Sequence, residues 1–397
     1  MKAGWESTIL GNVIDLQSGF AFKSAEFTGE GHFLMRIANV QDGDISLEKP
    51  KFVQLTKQTK RFELEEGDIL TSLTGNVGRV AEIKASHLPA ALNQRVARIK
   101  PKEDVDVDRS YLRHFLSSDA FSSFLEQEAH GAAQANVSPN AIKKVPFTLP
   151  PLDEQKRIVS ILDEAFEGLD RARENAEANL KSARELFEER RRTLVSNKTT
   201  GEPLTLKDVC INFEYGTSSK SSATGCTPVL RMGNLQDGEI DWTNLVYTND
   251  AGEGEKYMLH EGDVLFNRTN SQAHVGKTSI FDGKMPAIFA GYLIRVTPKK
   301  EKLTNEFLNH YLNSDVAREY GRSVMGKSVN QANISGSKLK TYPINLPKLE
   351  RQHEITLELD TLKVKVQEMQ ALYRSKLQDI SDLRQSLLQK AFAGELT

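Results

Sequence analysis

The chain is written twice. "RIANVQDGDI" at 36–45 returns as "RMGNLQDGEI" at 231–240, and "EGDIL" at 66–70 returns as "EGDVL" at 261–265. "NVGR" at 76–79 returns as "HVGK" at 274–277, "QANVS" at 134–138 as "QANIS" at 331–335, and "LPPLDEQ" at 149–155 as "LPKLERQ" at 346–352. Ordered matches at a near-constant displacement make this two copies of one unit of about 196 residues. Such a duplication restricts the fold more than any local motif. Whatever the first copy builds the second must build too, and two related units joined head to tail can close into a body with pseudo-two-fold symmetry.

Each copy changes character midway. From 1 to 150, short apolar runs such as "HFLMRIANV", "GDILTSL" and "QRVARIK" alternate with Gly, Asp and Asn turns, which predicts strands of a mixed α/β (α+β) domain. One short helix is expected near Tyr111–Glu128. After Pro150 and Pro151 the residues 151–198 hold a single glycine, Gly168, up to Ser196, and apolar residues recur at three and four. That spacing predicts a helix with a narrow seam through Leu162, Leu169, Ala176, Leu180 and Phe187, running roughly 60–70 Å. Residues 199–346 repeat the mixed domain, and 347–397 repeat the helix, with Leu362, Val366, Met369, Tyr373, Ile380 and Leu387 on its seam. Two long seams need a partner, and each other is the nearest. A coiled coil joining two domains is expected.

Composition narrows the function. Lys and Arg number 52 against 54 Asp and Glu, a net charge of −2, so this is not a uniformly basic DNA-coating protein. The two cysteines, Cys210 and Cys226, form no CxxC pair, which predicts a reduced, metal-free chain. No run approaches the roughly 20 apolar residues that span a bilayer, and residues 1–11 do not read as a signal peptide, so a cytoplasmic protein without membrane contact is expected.

"GRSVMGKS" at 321–328 fits the phosphate-loop pattern at Gly321, Gly326, Lys327 and Ser328. That chemistry needs a strand before the loop and a helix after it, whereas "NEFLNHYLNSDVAREY" before it has helical periodicity. Gly321 is better expected to end that helix with φ > 0. The first copy has Phe124, Ala129, His130 and Gly131 at the defining places. Nucleotide binding is therefore not expected. Glu154 and Lys156 form an E-x-K fragment, but at the start of a helix, and HExxH, GxSxG and GxGxxG are absent. No catalytic residue can be named, which points to a binding protein.

At "LPPLDEQKRIVSILDEAFEGLD" and "LPKLERQHEITLELD" the chain resembles the specificity subunits of type I restriction-modification systems, with "SGFAFKS" at 18–24, "EGDIL", "NVGR" and "QANVS" in family-like places. The resemblance covers the whole chain. It implies two target-recognition domains, each reading one half of a bipartite double-stranded DNA site, and an antiparallel coiled coil of the two long helices that sets the spacer between halves. It also implies a non-catalytic chain docked to two modification subunits that bind S-adenosylmethionine and methylate adenine N6. Restriction subunits would add ATP- and magnesium-dependent translocation and cleavage. The alternative is a coiled-coil assembly scaffold whose variable domains bind protein.

Positions shared by both copies cannot by themselves distinguish unlike half-sites. Arg36 and Arg231, Asn39 and Asn234, and Gly78 and Gly276 are therefore expected to serve scaffold or phosphate contact. The sharper readers lie where the copies differ: "LTSLTGN" against "LFNRTNSQA", and "LNQR" at 92–95 against "FAGY" at 289–292. Asn93, Gln94 and Arg95, and Asn267, Arg268 and Asn270, carry donors and acceptors suited to base edges. Ser72, Asn76, Arg79, Lys277 and Tyr292 from the same segments, with Lys23 and Lys220 as phosphate contacts, complete the DNA-binding candidates.

Overall fold

The structure is a computed structural model that describes residues 4–129, 136–196, 202–327 and 332–396. Ser328 and the side chain of Lys327 in the apparent phosphate loop, Gln331 of "QANIS", and His130, Gly131 and Gln134 of the first copy lie outside the described residues. The chain forms two compact units: Met1–Ala176 with Ser375–Thr397, and Glu177–Arg374. The division cuts both long helices, so each helix contributes to both units.

Unit 1 is built on a four-stranded antiparallel sheet of β1 (Ile14–Ser18), β2 (Ile69–Ser72), β3 (Val80–Glu82) and β4 (Val96–Pro101), in the order β1-β4-β2-β3. Every residue of β2 is buried, because the sheet is covered on both faces and alternate side chains feed two cores. Ile69, Val80 and Ile99 join Tyr111, Leu112 and Phe121, whereas Leu70, Ala81 and Val96 join Phe33, Met35 and Phe62. The second of these cores rests on a five-stranded sheet in which His32–Met35 pairs in parallel with Ala90–Leu92.

The helix expected near Tyr111–Glu128 is two helices, α1 (Arg109–Leu116) and α2 (Asp119–Glu128). Ser117 and Ser118 break it, as Ser118 Oγ donates to the carbonyl of Phe115 at 2.6 Å and competes with helix propagation. Asp108 caps α1 by accepting from Tyr111 N at 3.0 Å. The first long helix, α3 (Leu152–Val195), starts behind Pro150–Pro151 and lays Ile158, Leu162 and Phe166 into the unit 1 core. Gln155, fully buried, locks that start: Nε2 donates to Asp106 O and Pro150 O at 2.9 and 2.8 Å, and Oε1 accepts from Asp108 N at 2.7 Å. Leu388 and Ala391 enter this core from the C-terminal helix, and the Arg384 Nη1–Asp170 Oδ1 pair, 2.9 Å apart, ties the two helix segments together here.

Unit 2 repeats the plan with β5 (Cys210–Tyr215), β6 (Val264–Asn267), β7 (Thr278–Ile280) and β8 (Leu293–Pro298), in the order β5-β8-β6-β7. The all-buried central strand recurs in β6, and the parallel pair recurs between Thr227–Leu230 and Ile288–Phe289. Helices α4 (Asn305–Asn313) and α5 (Asp315–Val324) follow, α4 capped by Thr304, which accepts from Phe307 N at 3.2 Å. The second long helix, α6 (Leu349–Ala393), places Ile355 and Leu359 in a core that Leu194 and Val195 of α3 also enter. Fully burying each such leucine or isoleucine contributes about 1.5–3 kcal/mol. Arg190 Nε donates to Glu358 Oε1 at 2.6 Å and ties α3 to α6 in this unit.

The repeated "EGD" acquires a physical reason. Gly67 and Gly262 adopt φ of 83° and 89°, which a side chain would resist. The aspartate that follows each accepts from a strand arginine, Asp68 from Arg98 at 3.0 Å and Asp263 from Arg295 at 3.1 Å.

Two expectations need correction. Gly321 does not end a helix with positive φ; it is buried inside α5, where a Cβ would press on the hydroxyl of Tyr342. The segment after it pairs Gly326–Lys327 with Ala332–Asn333 as a short antiparallel ribbon. The phosphate-loop geometry is absent, since its first glycine is helical and its second lies in a strand. On the seam, Leu162, Ala176 and Val366 are buried and Leu169, Leu180, Phe187, Leu362, Tyr373, Ile380 and Leu387 are half-buried, but Met369 is 42% exposed and does not close it.

Candidate nucleic-acid interface

In unit 1 four chain segments cross at one place. Phe20 N donates to Leu92 O at 3.1 Å and Gln94 N to Phe20 O at 2.8 Å. Leu73 N donates to Arg95 O, and Val137 N to Leu73 O, each at 2.8 Å. Gly19 is required here because a Cβ would overlap the carbonyl of Asn93. The turn itself is tight, with Arg95 at φ 68°. Gln94, Arg95 and Asn76 are exposed on these loops, and Asn93 is half-buried with its Oδ1 unpartnered. Lys23, also exposed, follows on the Gly19 segment, its backbone N–H held by Glu26 at 2.6 Å.

Unit 2 has the same wiring. Thr217 N donates to Phe289 O at 2.9 Å, Gly291 N to Thr217 O at 2.7 Å, Arg268 N to Tyr292 O at 3.0 Å, and Ile334 N to Arg268 O at 2.9 Å. Gly216 stands where Gly19 does, its missing Cβ leaving room for Phe289 O. The displayed side chains are different. Tyr292 is 50% and Tyr215 40% exposed, Arg268 and Asn270 are half-buried, and Lys220 is exposed on the loop that follows Tyr215. Three extra residues lengthen the loop after β6 relative to the first copy and leave Ser271 and Gln272 exposed.

Several of the candidates make hydrogen bonds within the fold, including the four expected to serve scaffold or phosphate contact. Asn39 and Asn234 are 1% and 3% exposed. Asn39 Oδ1 accepts from Arg36 N at 3.2 Å and its Nδ2 donates to Ser46 O at 2.8 Å; Asn234 repeats this with Arg231 N and Asp241 O, each at 2.9 Å. Arg36 and Arg231 close the same loops by donating to Lys49 O at 2.7 Å and Asn244 O at 2.9 Å. Ser72 and Asn267 are buried and brace the following loop, Ser72 Oγ on Asn76 O and Asn267 Nδ2 on His274 O at 3.3 Å. Arg79 and Lys277 each donate to a glutamine of the other repeated loop, Gln41 at 2.8 Å and Gln236 at 2.7 Å. The buried Asn39, Asn234, Ser72 and Asn267 are turned inward to loop carbonyls, whereas Arg36, Arg231, Arg79 and Lys277 give only part of their donor set to the fold. Of the sequence candidates, Asn76, Asn93, Gln94, Arg95, Arg268, Asn270 and Tyr292 come together at the crossings.

Sequence reasoning missed Tyr215 and the paired glycines 19 and 216. The glycines carried a signal, standing at matched places in "SGF" and "YGT". Tyr215 carried none, since its role depends on Arg268, 53 residues later in the chain. Among the described residues no group of three His, Cys, Asp or Glu side chains is placed to hold a metal ion, and no helix is long and apolar enough to cross a membrane.

Two crossings with one backbone scheme and unlike side chains are what a duplicated recognition module requires. The model of the type I restriction modification DNA specificity domain matches residues 2–180 and again 200–372. The chain belongs to that family. Its role is DNA sequence recognition for a type I restriction-modification system. The EcoKI specificity subunit of Escherichia coli K12 is 24% identical over all of this chain and 90% of that one. A putative type I restriction enzyme MjaX specificity subunit of Methanocaldococcus jannaschii is 32% identical over 38% of this chain and 36% of its own length. Among solved structures, a chain from a study of complex assembly and conformational transition of the type I R-M system superposes with a TM-score of 0.76 at 20% identity, covering 100% of this chain and 99% of that one. The HsdS subunit from Thermoanaerobacter tengcongensis gives 0.52 at 19% identity, covering 99% and 98%. Both share the fold of this specificity subunit.

Proposed function

We propose that each unit reads one half of an asymmetric bipartite DNA target through its loop crossing, and that the lengths of α3 and α6 limit the spacer between halves. The observation that carries this reading is the repeated hydrogen-bond scheme, which holds Gln94 and Arg95 in one copy where it holds Gly291 and Tyr292 in the other. A common backbone sets a common approach to DNA, and unlike side chains select unlike bases. Half-site centres roughly one helical turn, about 34 Å, apart would let both units address one side of the duplex.

In this reading two modification subunits dock on the chain, bind S-adenosylmethionine and methylate adenine N6, and restriction subunits bring the ATP- and magnesium-dependent steps. The complex works in the cytoplasm, on chromosomal and incoming DNA. The test is selection from a random duplex pool by the chain copurified with its modification subunits at moderate salt, where nonspecific phosphate attraction is screened. A two-part motif with unlike halves is expected; indifference to sequence would overturn the reading and leave a scaffold that binds protein.

A further inference from the structure

Arg268 occupies the place of Leu73. Both accept from the same strand neighbour and donate to the same turn, Leu73 with Val137 and Arg95, Arg268 with Ile334 and Tyr292. Leu73 is 6% exposed and packs in the unit 1 core. The Arg268 guanidinium instead lies over the Tyr215 ring, with Cζ 4.8 Å from the centroid, a cation–π distance.

Its hydrogen bonds are thin. Nη1 reaches Gly291 O only at 3.5 Å, Nη2 reaches Asn333 Oδ1 at 3.4 Å, and Nε is buried without a partner. Charge-assisted bonds of this kind normally close to about 2.7–2.9 Å. Arg295, in the same unit, bonds Met258 O at 2.8 Å and Asp263 Oδ2 at 3.1 Å and is plainly structural. Arg268 thus keeps its shape through stacking while most of its donor capacity is unspent, beside two half-exposed tyrosines, 215 and 292.

We infer that Arg268 is a specificity-determining residue that reads a guanine in the half-site of unit 2, with Tyr215 as its positioning residue. The inference rests on the half-site reading above. Guanine is the base whose major-groove edge offers two acceptors, O6 and N7, matched to a planar two-nitrogen fork. Leu73 has no donor, so the corresponding base in the other half-site is not read this way, and one matched position makes the two half-sites unlike.

The experiment compares duplex-pool selections by the chain with its modification subunits for wild type, R268L, R268K, Y215F and Y215L, each checked for folding by circular dichroism. Wild type is expected to select a bipartite motif. In R268L one guanine position becomes degenerate, discrimination there falling about 10- to 100-fold, while the other half-site is unchanged. R268K, which keeps the charge but not the fork, loses the same position and carries the test if R268L is unfolded. Y215F retains discrimination and Y215L loses it, separating ring stacking from the hydroxyl, which accepts from Gly336 N at 2.8 Å. An unaltered motif in the Arg268 variants overturns the inference. So does uniform weakening on all sequences with the salt slope reduced by about one, the signature of a phosphate contact. A wild-type selection with no motif overturns the half-site reading and this inference with it, so the two failures are distinguishable.

Discussion

His114 Nε2 lies 2.8 Å from Asp163 Oδ1, joining α1 to the long helix α3, and His310 and Asp360 make the same contact at 2.8 Å in the second copy. His114 is 2% exposed. Burial, reinforced by the Arg113 guanidinium, pushes its imidazole down to about 4, against the raising influence of Asp163. The ring is therefore neutral in the fold and donates to the carboxylate.

An acid-sensitivity prediction follows from that pair. Between pH 6.5 and about 4 the unfolded chain takes up a proton on His114 that the folded chain refuses. Stability therefore falls as pH drops through this window, by up to about 3 kcal/mol, and the contribution is fully present above 6.5. Replacement by glutamine, H114Q, keeps a donor for Asp163 without the titration. Melting temperatures measured from pH 7 to 4.5 should decline less steeply in H114Q; parallel profiles would contradict this.

Arg191 on α3 offers a stabilising substitution. It is 6% exposed, with Nε unpartnered, its guanidinium paired to Glu188 and 5.0 Å from the Phe187 ring centroid, and burial pulls its pKa below the ordinary value. The matching residue on α6, Leu388, is fully buried in unit 1. Removing the desolvated charge while keeping the volume should stabilise R191L by about 1–2 kcal/mol. Differential scanning calorimetry should show a transition raised by several degrees; a lowered one would mean the ion pair and ring contact outweigh desolvation.

Gln352 should be among the costliest residues to lose in unit 2. Fully buried, it donates to Lys302 O at 2.7 Å and Pro347 O at 2.8 Å and accepts from Thr304 N at 2.9 Å, as Gln155 does in unit 1. Alanine leaves one buried and two part-buried backbone groups without this partner, a cost of about 1–3 kcal/mol. Urea unfolding of Q352A should shift to markedly lower denaturant, whereas a shift equal to that of an exposed-residue control would refute the clamp.

Replacing Asn93, Gln94 and Arg95 together with alanine should relax one half-site and leave the other intact. Leu73 N and Val96 N hold this turn through backbone acceptors, so the fold survives the loss of the side chains. Pool selection measures the motif and gel filtration with the modification subunits measures assembly. Loss of assembly would show that the turn is architectural.

Much of the architecture is readable because the duplication is written in recurring motifs such as "EGDIL" and "EGDVL", and the long helices in apolar spacing. The site was less readable, for a physical reason. An asparagine amide satisfies a loop carbonyl as readily as a base edge, and residue type does not distinguish the two, so sequence leaves scaffold and phosphate contact open for Asn39 and Asn234, which bond loop carbonyls. Ser72 and Asn267 differ in type, as readers of different bases would, yet both brace the same loop from the inside. The contrast that matters, Leu73 against Arg268, became visible only when the backbone bonds aligned the two copies. Gly321 is ambiguous in the sequence because close approach to Tyr342 and a positive φ both call for glycine.

The interleaving of the long helices has a consequence for biosynthesis. Leu388, Ala391 and Phe392 complete the core around Tyr111 and Phe115, and the Phe392 ring lies 5.2 Å from each of those two rings. Gln385, which accepts from Asp119 N, follows it by 266 residues. During translation the first unit therefore emerges with an open apolar wall and waits for nearly the whole second unit to be made before that wall is covered. A ribosome that stops early releases a chain whose unfinished half is the one synthesised first, which couples the recognition of one half-site to completion of the entire polypeptide.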